Sequence, residues 1–106
     1  MIETVEIEPA ARELLDQEAL SWVEVIVRRA ESHAARLGVQ FKRAQVRHWQ
    51  SLEDLSIQDA VIEILVDGPQ DSVDEYWDAL SNLLGELTKG SSSPAAERLF
   101  VSVRRR

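Results

Sequence analysis

The sequence predicts a single α+β domain, a two-layer sandwich of one four-stranded antiparallel sheet and two helices on one of its faces. Three observations predict it. Apolar spacing switches along the chain between the two-residue period of strands and the three-to-four-residue period of helices, in the order strand, helix, strand, strand, helix, strand. Two of the helical stripes are long enough to cover a sheet. The chain has 106 residues, 44% of them apolar and none cysteine, which suffices for one core without disulfides or metal and falls short of two.

The first segment, Ile2 to Glu8, sets Val5 and Ile7 among acids in the alternation of a half-buried strand. Pro9 stops that ladder and suits the first turn of a helix, and the following Ala-Ala-Arg-Glu-Leu-Leu run consists of strong helix formers. Asp16 either caps a second helix or lies within one long helix. From Ala19 to Leu37, the residues Ala19, Val23, Ile26, Ala30, Ala34 and Leu37 recur at helical spacing, and Gly38 supplies the stop.

Val39–Trp49 and Ile57–Asp67 are read as a hairpin, and charge selects a register with its turn near Glu53. Arg47 then faces Asp59, Arg43 faces Glu63, Phe41 faces Leu65 and Trp49 faces Ile57. The other side pairs Ala44 with Ile62 and Val46 with Ala60, both suited to a core. A slip of one residue would exchange the two faces.

Asp67-Gly68-Pro69 breaks the strand, and Ser72 with Glu75 forms a capping box for the next helix. Val73, Tyr76, Trp77, Leu80, Leu83, Leu84 and Leu87 make its apolar stripe, Gly90 ends it, and the SSSPA stretch reads as a mobile loop. Arg98 to Arg104 alternates Leu99, Val101 and Val103 with Phe100 and Ser102, a last strand. The order is that of the split βαβ, ferredoxin-like arrangement. Its core is expected from Val23, Ile26 and Ala30 on the first helix, Trp77, Leu80 and Leu84 on the second, and Val5, Ile7, Ile62, Ile64, Val101 and Val103 on the sheet.

The net charge of −7 argues against a protein held globally on nucleic acid or an anionic membrane. Its distribution is blocked. Residues 1–27 carry seven acids and one base, 28–52 six bases and one acid, 53–88 ten acids and no base, and 89–106 five bases and one acid. Blocks of opposite sign are expected to lie side by side in the fold. No apolar run suits a signal peptide or a membrane span, and the cytoplasm is the expected location.

Catalytic patterns are sparse. The two histidines, His33 and His48, have no carboxylate at a local spacing that would orient them. The acids Asp71, Asp74, Glu75 and Asp78 surround a helix start, where the helix dipole favours them without any ion. No twelve-residue calcium loop, HExxH, CxxC or GxSxG is present. No cofactor, metal ligand or catalytic residue is therefore assigned.

One feature remains, the sheet face turned away from the helices. In the expected register it carries Phe41, Trp49, Ile57, Val61 and Leu65 interleaved with Arg43, Arg47, Asp59 and Glu63. That is more apolar surface than a monomer ordinarily leaves in water. The sequence thus points to a non-catalytic interaction or small-ligand-sensing module that forms a homodimer, or binds another protein, through this face. The alternatives are a small enzyme with a histidine and carboxylate between sheet and helices, and an RNA-binding module. Against RNA stand the acids beside the basic strand and the lack of an RNP signature.

Overall fold

The computed structural model describes residues 5–91 and 93–105. Positions 2–4 of the expected first strand, Ser92 of the serine loop and Arg106 of the arginine tail lie outside them. In chain order the elements are β1 (Glu6–Ile7), α1 (Pro9–Leu14), α2 (Gln17–Leu37), β2 (Gln40–Gln50), β3 (Gln58–Asp67), α3 (Gln70–Thr88), a 3-10 turn (Pro94–Glu97) and β4 (Leu99–Arg105).

The α+β class holds, but the ferredoxin-like antiparallel sheet does not. The strands lie in the order β1-β2-β3-β4, with β1 parallel to β2, β2 antiparallel to β3 and β3 parallel to β4. A ferredoxin-like order would put β1 in the middle, flanked on both sides. Its alternating acids Glu6 and Glu8 instead suit an edge, where charge discourages further pairing. The central places go to β2 and β3, and β3 is apolar at Val61, Ile62, Ile64, Leu65 and Val66. Among the described residues there are three α-helices, not two. Because β2 and β3 run in opposite directions and both crossovers step the same way across the sheet, helices on one face require one crossover of each hand, a departure from the usual right-handed pair.

The hairpin register is shifted by two residues from the expected one. Arg47 pairs with Val61, Trp49 with Asp59, Gln45 with Glu63 and Arg43 with Leu65. An even shift keeps the faces, so Ala44, Val46, Ile62 and Ile64 still point into the core. Loop chemistry sets the apex. Ser51 Oγ accepts from the N–H groups of Glu53 and Asp54, and Asp54 Oδ1 accepts from the N–H and hydroxyl of Ser56. These local side-chain bonds close the turn one residue later than charge pairing suggests. Ile57 consequently lies in the loop, outside both strands. A bulge between Phe41 and Arg43 turns Phe41 to the core side, opposite the buried Val66.

Asp16 ends the question of one helix or two. Its Oδ1 accepts from the Ala19 N–H at 2.8 Å, making it the N-cap of α2. Gly38, with φ of 72°, closes that helix in the left-handed conformation. The Ser72 and Glu75 capping box is not used, because α3 begins earlier, at Gln70 behind Pro69, with no side-chain cap. The core is built as expected from Val23, Ile26, Ala30, Leu80, Leu84, Ile62, Ile64, Val101 and Val103, while Val5 and Ile7 pack against it half-buried. Trp77 is the exception. It is 40% exposed, its indole N–H donating to the Val101 carbonyl at 3.0 Å on edge strand β4, while its neighbour Tyr76 takes the interior place.

The serine loop is tied down. Ser93 is buried, and its hydroxyl donates to Asp16 Oδ2 at 2.5 Å while accepting from the Ala95 N–H. One short network thus caps both α2 and the 3-10 turn. The Ser93 hydroxyl, followed by the Ala19 N–H, holds the Asp16 carboxyl below its ordinary pKa of 3.8. A depressed carboxylate stabilises the fold above its ordinary pKa, and that contribution is lost as pH falls through the lower folded value. Ser93→Ala is expected to cost about 0.5–2 kcal/mol at neutral pH as a lost cap. The gap from wild type should narrow below pH 3.8, and denaturant melts at neutral and acid pH measure it. An equal gap at both would show that Ser93 acts without Asp16.

Candidate functional site

The helices cover one face of the sheet. The other face is open, and strand pairing arranges its side chains in rows. At the hairpin end Trp49 sits opposite Asp59. The next row is Arg47, Val61 and Phe100, the third is Glu6, Gln45, Glu63 and Ser102, and the fourth is Arg43, Leu65 and Arg104. Of the nine residues expected on this face, Arg43, Arg47, Trp49, Asp59, Val61, Glu63 and Leu65 occupy it. Phe41 turns to the core side and Ile57 joins the exposed hairpin tip with Leu52 and Leu55.

Phe100 and Arg104 belong to the face although neither is among those nine. Alternation along Leu99, Val101 and Val103 marked Phe100 as outward, but only the parallel register beside β3 places it next to Val61. Trp49 is 49% and Phe100 50% exposed.

Glu63 is the electrostatic centre. Its side chain is only 15% exposed, and Oε1 accepts from the Gln45 amide at 2.6 Å. Arg47 approaches the same oxygen at 3.9 Å and Arg104 approaches Oε2 at 3.8 Å. Arg47 also stands 4.0 Å from Glu8. These contacts are long and their arginines more than half exposed, so each contributes only about 0–1 kcal/mol and orients the guanidinium groups more than it stabilises the fold. The expected pairs of Arg47 with Asp59 and Arg43 with Glu63 are replaced by this network. Arg43 and Asp59 have no ion pair among the described residues.

Two hollows lie on the face. One, of about 260 Å³, is bounded by Arg47, His48, Trp49, Val61 and Glu63. The other, of about 190 Å³, lies among Arg43, Gln45, Arg47, Glu63, Leu65 and Arg104. A larger one of about 500 Å³ at the corner of β1 and α1 mixes Glu6 and Glu8 with Arg43 and Arg47, unlike the mostly apolar lining of a small-molecule pocket.

Among the described residues neither histidine side chain is paired with a carboxylate. His48 Nε2 is 2.9 Å from the Gln58 amide oxygen, and its backbone N–H reaches the Glu8 carboxylate at 3.5 Å, where β1 gives way to α1. His33 lies on α2, away from the open face. Among the described residues no group of three or more His, Asp or Glu is placed to hold a metal ion, and no helix is long and apolar enough to cross a membrane. Comparison with protein-family models, curated proteins and solved structures returned no match.

Proposed function

We propose that this domain is a non-catalytic interaction module that self-associates through the open face of its sheet, in the cytoplasm. The observation that carries this reading is the face itself: two half-exposed aromatics, Trp49 and Phe100, flank Val61 and sit among Arg43, Arg47 and Arg104. Aromatic and arginine side chains are what interface centres enrich, and contiguous apolar surface of this kind marks contact sites. Leu52, Leu55 and Ile57 extend the apolar surface to the hairpin tip. A cysteine-free chain suits a reducing compartment.

The same aromatics and arginines would suit a single-stranded RNA, whose bases stack on exposed rings. Glu63 at the centre of the face and Asp59 beside Trp49 oppose a phosphate backbone, which favours a protein partner over nucleic acid. Light scattering over a concentration series tests the proposal. The wild-type chain should be dimeric at high micromolar concentration, and Trp49→Asp or Phe100→Asp should be monomeric with unchanged circular dichroism, because each would bury an unpaired carboxylate at the contact. A wild-type chain that stays monomeric throughout the series overturns it.

A further inference from the structure

The open face is polarised along its strands, and that polarity selects how two copies meet. One end holds Trp49 and Asp59, the other holds Arg43, Leu65 and Arg104. Asp59 and Leu65 are six residues apart on β3, so the ends are separated by about 20 Å. Asp59 at one end and Arg43 at the other have no ion pair among the described residues. Among the described residues the acid of one end and the cation of the other are thus both without an ion pair.

A two-fold axis lying between the faces can run along the strands or across them. Along the strands, each copy's arginine end would lie on the other copy's arginine end, with the two Asp59 side chains next to each other. Across the strands, the first row of one copy lies on the fourth row of the other, and the second on the third. Asp59 then projects toward the other copy's Leu65, between its Arg43 and Arg104. Trp49 covers the other copy's Arg43, as a cation–π pair. In the middle rows Arg47 lies over the other copy's Gln45, between its Glu6 and Glu63, while Val61 lies over its Glu63 and Phe100 over its Ser102. Of the two, the second keeps the arginine ends apart and brings Asp59 to the other copy's Arg43 and Arg104, and Arg47 to its Glu6 and Glu63.

Building on the self-association proposed above, we infer that the occupant of the open face is a second copy of this chain in reversed strand direction, with Asp59 of each copy held between Arg43 and Arg104 of the other. The two-fold repeats the contact, so a single substitution acts on both ends of the interface.

Charge exchange tests this with the 106-residue chain. Asp59→Arg gathers three arginines at each end, and the double variant Arg43→Asp with Arg104→Asp gathers three acids. Each alone should dissociate at least about 30-fold more readily than wild type, because every reversal counts twice. Mixed in equal amounts, the two variants should associate as tightly as wild type, since all four charge contacts are then of opposite sign. Sedimentation velocity on each variant and on the mixture reads the result, with circular dichroism confirming the fold. If charge reversal disturbs folding, Asp59→Asn and Arg43→Ala replace it, and each should weaken association and flatten its salt dependence. A wild-type dimer whose variants associate unchanged, or whose mixture stays monomeric, overturns the reversed arrangement while leaving self-association in place. A monomeric wild type overturns both.

Discussion

Replacing Tyr76 with alanine is expected to remove about 3–5 kcal/mol of stability, the range for deleting a fully buried aromatic ring. Tyr76 has no exposed surface and bridges the two long helices, its hydroxyl donating to the Ala30 carbonyl of α2 at 2.8 Å. Tyr76→Phe separates the ring from the hydroxyl. It keeps the packing and loses one buried hydrogen bond, so it should cost only about 0.5–1.5 kcal/mol. The pH response distinguishes them further. Burial, with Glu31 adding like-charge repulsion, pushes the phenol above its ordinary pKa of 10.0. The folded chain therefore favours the neutral phenol, and its contribution is whole below that pH and falls as pH rises past it. Tyr76→Phe should remove this alkaline loss. Denaturant melts at neutral pH and above pH 10 measure both effects, and a Tyr76→Ala midpoint equal to wild type would place the ring outside the core.

Why Tyr76 and not Trp77 occupies the interior illustrates what could be read from the chain. The two are adjacent on the same apolar stripe, and helical spacing admits either. The phenol finds an acceptor deep between helices, whereas the indole N–H finds one only at the sheet rim, on Val101. Polar tips of large side chains decide such cases, and periodicity does not carry that information. The helix over 19–37, the existence of the hairpin and the inward parity of Ala44, Val46, Ile62 and Ile64 were all legible, because each rests on a local period. Strand order was not. Spacing specifies which face a strand buries, but not which strand it lies beside, and the clue that β1 belongs at an edge was its acids, Glu6 and Glu8.

The candidate face was legible in composition and illegible in detail for related reasons. Registers differing by two residues bury the same side chains, so charge pairing alone chose Arg47 opposite Asp59, where the Ser51 and Asp54 turn instead sets Val61 there. The extra residue near Lys42 leaves no mark in the alternation except that Phe41 and Arg43 share a parity they do not share in space. Pairing also freed Asp59 and Arg43 from the intramolecular partners that charge patterning assigned to them. Among the described residues Asp59 and Arg43 are thereby left without an ion pair, while Arg47 and Glu63 pair with each other.

Ile62 and Val61 are neighbours on β3 that point to opposite faces, and truncating each to alanine should have different consequences. Ile62 is fully buried and pairs with Val46 on one side and Val101 on the other, so Ile62→Ala should cost about 2–5 kcal/mol through lost burial and an unfilled cavity. Val61 faces the open side between Arg47 and Phe100. In a dilute, monomeric sample Val61→Ala should cost under about 1 kcal/mol, since little apolar area is withdrawn from water there. Dimerisation through the face changes the second value and leaves the first alone, because burial against a partner stabilises the folded state by mass action. Wild-type stability should therefore rise with protein concentration, and that rise should shrink in Val61→Ala and persist in Ile62→Ala. Melts at low and high micromolar concentration provide the comparison. A Val61→Ala loss as large as that of Ile62→Ala in dilute solution would show that part of the chain itself covers the face, and a concentration-independent loss in both would remove the partner.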